Sequence, residues 1–313
     1  MEPEEQIEIG ATETDAPEEE EALRDWLPFT LRGCAALARG PWWRLFLVEL
    51  AVALFVGACC VWVVGRHWCP AIDQAIAALP QNAGEIRDGR LHWPNAKPLE
   101  LTQLPDRPYL RLIVDPQNAA DHGRMADLQL ELRERHVAVS SVLGFWKIPY
   151  PPGLALKLDR EKLGPWWGAR RPFLLLALGV AVTLWLLFTW AVLALLGAWP
   201  VRMVAFFADR EGGLGTHWRL ASAAFQPGAV FCGMGILCYG LGLLPLLGLM
   251  LVWLLHLVVV WAYLFFAPFH LPQIEEEQLE DNPFSEPDKE DEEEPAGDDN
   301  PFPESTPPVE EED

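Results

Sequence analysis

The sequence predicts an α-helical integral membrane protein. The architecture expected is four transmembrane helices, the last two a hairpin, with a small β-rich extracytoplasmic domain and disordered acidic tails. Three observations carry this. Residues 228–271 contain no Asp, Glu, Lys or Arg, a run far longer than the roughly 20 apolar residues that one bilayer crossing needs. Two more charge-poor runs lie upstream, 45–65 (broken only by Glu49) and 172–201. The acidity behind the net charge of −22 sits at the chain ends: eleven acids against one Arg in residues 1–25, and nineteen against one Lys in 272–313. The stretch between carries a net positive charge.

Taken in order, residues 1–40 read as an acidic N-terminal tail, too poor in aliphatic side chains to bury a core and therefore disordered. Its function is either solubilising or docking of a basic partner. No cleaved secretory leader is expected, because such a leader opens with a basic segment and an early short apolar run. The first span is 43–65. Gly40-Pro41-Trp42-Trp43 precedes it, and Gly164-Pro165-Trp166-Trp167 precedes the second span, 172–199. Pro suits the first helical turn and Trp the headgroup level, so both tetrapeptides read as interfacial anchors at helix starts. Residues 201–227 interleave Val201, Met203, Val204, Phe206 and Phe207 with Arg202, Asp209 and Arg210, as expected of an amphipathic segment lying along the membrane surface; a plain linker is the alternative. Pro245 and Gly248 divide the last run into spans 228–244 and 247–269. Residues 272–313 form the second acidic, disordered tail.

Between the first two spans, residues 66–171 are numerous enough to fold alone. Pro70–Leu79 reads as a short helix with Ile72, Ile76 and Leu79 on one face. Asp88-Gly89 between short flanks is a two-residue hairpin signal. Leu128, Leu130 and Leu132 alternate with Gln129, Glu131 and Arg133, the pattern of a half-buried strand with its leucines inward. With Val137–Leu143, Phe145–Ile148 and Leu154–Leu158 following, the spacing suggests a small antiparallel sheet.

Four spans put both tails on one side. Arg24, Arg32, Arg39, Arg44, Arg202, Arg210 and Arg219 lie on that side; Arg66, Lys157, Arg160, Lys162, Arg170 and Arg171 lie on the other. The 66–171 loop exceeds the length over which the positive-inside rule counts well. The expected localisation is therefore a cytoplasmic (inner) membrane, with tails cytoplasmic and the loop extracytoplasmic.

No catalytic, cofactor-binding or metal site is legible, and no nucleic-acid partner is implied. His67-Trp68-Cys69 offers two metal ligands without the convergent third and fourth that zinc needs. Gly212-Gly213-Leu214-Gly215 follows no strand and lacks a Lys-Ser/Thr ending, so it is no phosphate cradle. Of the cysteines, Cys34, Cys59, Cys60, Cys69, Cys232 and Cys238, only Cys69 lies in the large loop, which excludes a disulfide within it. The ionisable residues inside spans are Glu49 and His256, functional suspects by default. Their expected depths differ by roughly 10 Å at 1.5 Å per residue, so they are not expected to touch, and packing or a local hydrogen bond is the reading preferred over transport. Gly228, Cys232, Gly235, Tyr239 and Gly242 share one helical face, where small residues allow close helix approach. In the C-terminal tail Asp281-Asn282-Pro283-Phe284 recurs as Asp299-Asn300-Pro301-Phe302. Asn-Pro favours a turn that would present Phe284 and Phe302. Asn-Pro-Phe resembles ligands of eukaryotic EH domains, and the second copy resembles the Asp-rich Pro-Phe tips of bacterial single-strand-binding protein tails.

Residues 79–116 (LPQNAGEIRDGRLHWPNAKPLELTQLPDRPYLRLIVDP), 126–151 (ADLQLELRERHVAVSSVLGFWKIPYP) and 219–245 (RLASAAFQPGAVFCGMGILCYGLGLLP) together resemble a bacterial family of multispan membrane proteins of unknown function, distantly similar to the Yip-type trafficking proteins. The resemblance covers roughly residues 40–270, leaves out the acidic tails, and implies no known catalysis and no site residues. The function expected is therefore non-enzymatic: a binding, assembly or envelope-organising module in the lipid bilayer, with unknown protein partners for the tail and the outer domain, and with homo-oligomers possible in principle. The alternative is a small transporter or channel subunit using an oligomeric pore, against which stands the lack of paired buried charges.

Overall fold

The computed structural model describes residues 29–81, 84–94, 97–102, 109–118, 123 and 126–273. The tail regions 1–28 and 274–313, and with them Asn282, Pro283, Phe284, Asn300, Pro301 and Phe302, lie outside the described residues.

The helices, in chain order, are α1 (Leu31–Arg39), α2 (Trp42–Val63), α3 (Cys69–Ala78), α4 (Arg160–Phe207), α5 (Leu214–Gly240) and α6 (Leu246–Phe266). A π-helical turn, Val64–Trp68, joins α2 to α3 without a break, so Trp42–Ala78 is one helical rod. Four of these helical rods are long and apolar enough to cross a membrane. Strands β1 (Glu85–Arg87), β2 (Arg90–His92), β3 (Leu99–Glu100), β4 (Leu110–Val114), β5 (Leu128–Leu132), β6 (His136–Ser141), β7 (Gly144–Pro149) and β8 (Leu156–Lys157) lie between α3 and α4.

Several expectations are corrected. Residues 31–39 are not tail but helix. Thr30 caps it, its Oγ1 accepting from Gly33 N at 3.0 Å, and Cys34, Leu37 and Ala38 form a buried stripe at helical spacing. Residues 201–227 do not form one separate element. The first part completes α4, and Leu214 onward belongs to α5, whose Leu220, Ala221, Ala223 and Ala224 are fully buried. Small side chains let this half of α5 be enclosed by neighbours, which the amphipathic reading misses. Pro227 lies inside α5 and cannot donate to the Ala223 carbonyl. That oxygen accepts instead from Cys34 Sγ at 3.7 Å, so α1 covers the gap the proline opens. Burial pushes the Cys34 thiol up to about 12, keeping it protonated and a donor. Gly164-Pro165-Trp166-Trp167 does not start a helix: α4 begins at Arg160, with Asp159 as its cap. Trp42, by contrast, does open α2 after Pro41.

The β region is two sheets, in the orders β2-β1-β8 and β3-β4-β5-β6-β7. The Asp88-Gly89 hairpin joins β1 and β2, both turn residues having positive φ. The larger sheet is mixed rather than antiparallel, because β4 and β5 run parallel. Its Leu112, Leu132 and Val137 pack with Ala75 of α3, with Leu79 just after that helix, and with Ile86 and Leu91 of the small sheet. The alternation in β5 is also inverted. Gln129 and Glu131 are buried, while Leu128, Leu130 and Leu132 are only half-buried. The polar pair tolerates burial because its groups are partnered: Gln129 Nε2 donates to Glu131 Oε1 at 2.7 Å, Arg133 Nε donates to Glu131 Oε2 at 3.0 Å, and Arg111 Nη1 reaches Gln129 Oε1 at 3.4 Å while also pairing with Glu100.

Both described ends of the chain lie at one end of the bundle. Arg210 Nη1 donates to Leu271 O at 2.8 Å, and Arg219 Nη1 donates to Gly40 O at 2.9 Å.

Candidate functional site

The β domain meets the opposite end of the bundle through a compact set of side chains around Tyr239, in the last turn of α5. Tyr239 Oη donates to Asp127 Oδ2 at 2.8 Å, just before β5. Tyr109, just before β4, donates its hydroxyl to Tyr239 O at 3.0 Å. The two tyrosine rings meet edge-on at 5.1 Å. His67 stacks on Tyr109 at 3.9 Å, and its Nε2 lies 2.7 Å from Gly240 O. Carbonyls at a helix C-terminus lack intrahelical partners; here one is met by an imidazole and one by a phenol, both from elsewhere in the chain.

The π turn puts His67 there. One extra residue per turn rotates the helix as it leaves the bundle, and Arg66 and His67 fall in that turn. A second brace lies beside it. Asp73 of α3 accepts from Trp167 Nε1 at 2.8 Å and from Arg171 Nη1 at 3.1 Å, both on α4. The ion pair is solvent-exposed, so it contributes at most about 1 kcal/mol and serves mainly to orient. Parallel strands β4 and β5 thus start at the bundle and run away from it, anchored by the residues preceding each.

The far end of the sheet carries an open cleft of about 400 Å³, lined by Gln117, Asn118, Arg133, Glu134, Arg135, His136, Phe145 and Lys147 among others. Lys147 Nζ lies 5.7 Å from the Phe145 ring centre. The His136 imidazole is held below its ordinary range, first by burial and then by the positive charges of Lys147 and Arg133. Burial also pushes the Tyr150 phenol up to about 12; its hydroxyl donates to Arg133 O at 2.9 Å. Cationic, polar and aromatic groups converging in one recess suit an anionic ligand.

The residues singled out from sequence are dispersed. Glu49 accepts from Ser222 Oγ across α2 and α5. Gln226, one turn on, donates Nε2 to Ser222 O at 3.1 Å, and its buried Oε1 has no partner among the described residues. His256 is half-buried on α6, with Nδ1 on Trp253 O and its ring against Gly228. Glu49 and His256 thus have separate partners. A Cβ on Gly228 would meet Val260, and one on Gly235 would meet Val252, both on α6. Cys232 is half-buried. Gly242 lies beyond the helix, at φ 76° in the α5–α6 turn. His67 and Cys69 are not joined in a metal site, since His67 is committed to Gly240 O and Cys69 is buried; no group of three His, Cys, Asp or Glu able to hold a metal occurs among the described residues. The junction itself gave little signal in sequence. Tyr109, Asp127 and Tyr239 are far apart in the chain, and single tyrosines next to strands carry no pattern.

No family model, curated protein or solved structure matches the chain, so the resemblance to multispan proteins rests on residue patterns alone.

Proposed function

We propose that this chain is a non-enzymatic, membrane-anchored binding module in a cytoplasmic membrane. Its β domain faces the extracytoplasmic side and takes an anionic ligand or partner group in the Arg133–Arg135–Lys147 cleft. The observation that carries the reading is the Tyr239 junction. A β domain tied to the bundle by two tyrosines, an aspartate and a histidine, and mounted on helices that continue out of the bundle, is suited to reporting occupancy to the helices rather than swinging on a tether. A second reading, a small transporter or channel subunit, draws on the Glu49–Ser222–Gln226 line inside the bundle, since buried ionisable groups between helices mark transport paths.

Photo-crosslinkers placed at Gln117 and Asn118, which line the cleft beside its cationic side chains, test the two in native membranes. The binding reading expects a discrete adduct, lost in the Arg135→Ala/Lys147→Ala variant and unaffected by Glu49→Gln. Absence of any adduct, together with solute flux in proteoliposomes that Glu49→Gln abolishes, would replace it with the transport reading. Sidedness is tested with Glu134→Cys, since the Glu134 side chain is half-exposed while Cys69 is buried. An impermeant thiol reagent should label it in intact cells; labelling only after lysis inverts the topology.

A further inference from the structure

The register of the large sheet fixes which of its ends lies against the bundle. Tyr109 and Asp127 touch Tyr239 at the end of α5. They immediately precede Leu110 and Leu128, which pair with each other. Leu128 pairs in turn with Ser141, and Ser141 with Gly144. Leu110, Leu128, Ser141 and Gly144 therefore form one end row, and it is the row nearest the bundle. The β6–β7 turn, Val142-Leu143, projects from this row toward the level at which α5 ends.

That turn is apolar and uncovered. Leu143 is 62% exposed, Phe145 55%, Trp146 48% and Val142 43%. An edge strand with such residues is a liability in water, and soluble domains blunt these edges with charge or proline. Strands are spaced about 4.8 Å apart, so β7 lies about 10 Å to the side of β5. That is close to one helix diameter, so a turn carried there clears the helix under Tyr239. The exposure of Val142 and Leu143 shows that no described helix covers them.

We propose that the β6–β7 hairpin is a membrane anchor: Val142, Leu143 and Trp146 enter the headgroup–acyl boundary of the leaflet beside the β domain. The partner is the phospholipid surface, not another protein. The proposal rests on the bundle being membrane-inserted. It gives the β domain a second attachment, lateral to the Tyr239 junction, and holds the sheet upright with its cleft facing away from the lipid.

The test is photo-crosslinking of the full chain in phosphatidylethanolamine/phosphatidylglycerol vesicles, with p-benzoylphenylalanine replacing one residue at a time. Leu143 probes the hairpin. Leu184, which is 61% exposed on α4, probes the bundle's lipid-facing surface. Glu134, in the turn at the far end of the sheet, probes the aqueous side. All three are exposed positions, so folding is not at stake. Phospholipid adducts are expected at positions 143 and 184 and none at 134. An adduct at 184 without one at 143 overturns the anchor and leaves the inserted bundle standing. No lipid adduct at either position overturns the inserted bundle and the anchor with it. A protein–protein adduct at 143 in place of lipid overturns the anchor in favour of an interface between copies.

Discussion

Helices α5 and α6 are neighbours in sequence and both are long enough to cross a bilayer, yet they occupy opposite environments. In the most apolar window of α5, 61% of residues are buried; in that of α6, 11%. The less hydrophobic helix is the central one. It carries Ser222, Gln226 and His217 among glycines and alanines, whereas α6 presents Leu247, Leu251, Leu254 and Val258 outward. Where the surroundings are lipid, apolarity gives no preference for the interior, and close approach of small residues does. A hydropathy reading therefore finds the periphery of such a bundle more easily than its centre.

The contrast is sharpest at the glycines. A Cβ on Gly235 would lie 2.5 Å from Val252, and one on Gly240 would lie 2.5 Å from Trp62. Gly235→Leu should therefore cost roughly 3 kcal/mol or more through overpacking, read by reversible unfolding in mixed micelles. Leu251→Ala on the exposed face of α6 should stay within about 0.5 kcal/mol. Equal effects at the two sites would erase the distinction between inner and outer helix.

The next largest effect concerns polar contacts of the inner helix. Ser222→Ala removes the donor to Glu49 and should cost about 0.5–1.5 kcal/mol, the range for hydrogen bonds between membrane helices. Trp253→Phe on α6, an exposed position, should be close to neutral in the same assay.

Much of this architecture was legible in the residues. The charge-free runs give four helices long and apolar enough to cross a membrane, Asp88-Gly89 gives its hairpin, and Pro70–Leu79 gives a helix, observed at Cys69–Ala78. The first half of α5 was not legible, because Arg219 and the Gly212-Gly213 break mimic a surface segment while the burial of Ala221, Ala223 and Ala224 depends on partners distant in sequence. Burial of Gln129 and Glu131 was hidden for the same reason: alternation reveals two faces, but which one is covered depends on Arg111 and Glu100 from other strands. Of the junction nothing was legible: the first span was expected to end at Gly65, and the π turn that carries the helix on to Ala78 has no pattern in the residues.

A comparable effect is expected where α5 leaves its enclosure. Tyr239→Phe deletes the bond to Asp127 while keeping the ring, at a cost of about 1 kcal/mol. Amide exchange should rise at β4 and β5 and stay unchanged in α6. A rise confined to α6 would show that the tyrosine serves bundle packing rather than domain attachment.

The smallest expected effect is a pH slope in the β domain. Because His136 is held below its ordinary pKa, the unfolded chain takes up a proton that the folded domain resists, so stability is complete above about pH 6.5 and falls on acidification below it. Amide protection of β6 should therefore decrease from pH 7.5 to 5, and His136→Gln should flatten that slope. An unchanged slope would place its origin outside His136.

Helix α4 has one more consequence. It is continuous from Arg160 to Phe207, and Pro172 and Pro200 lie inside it. These prolines bracket a segment about 42 Å long at 1.5 Å per residue, set against a hydrocarbon layer about 30 Å thick. A rod longer than the layer it crosses accommodates the mismatch by tilting. Helices bend most readily at proline, so the angle would be taken up at the two ends of the crossing segment. Bilayer thickness would then set the inclination of α4, and with it the pitch of the β domain above the lipid.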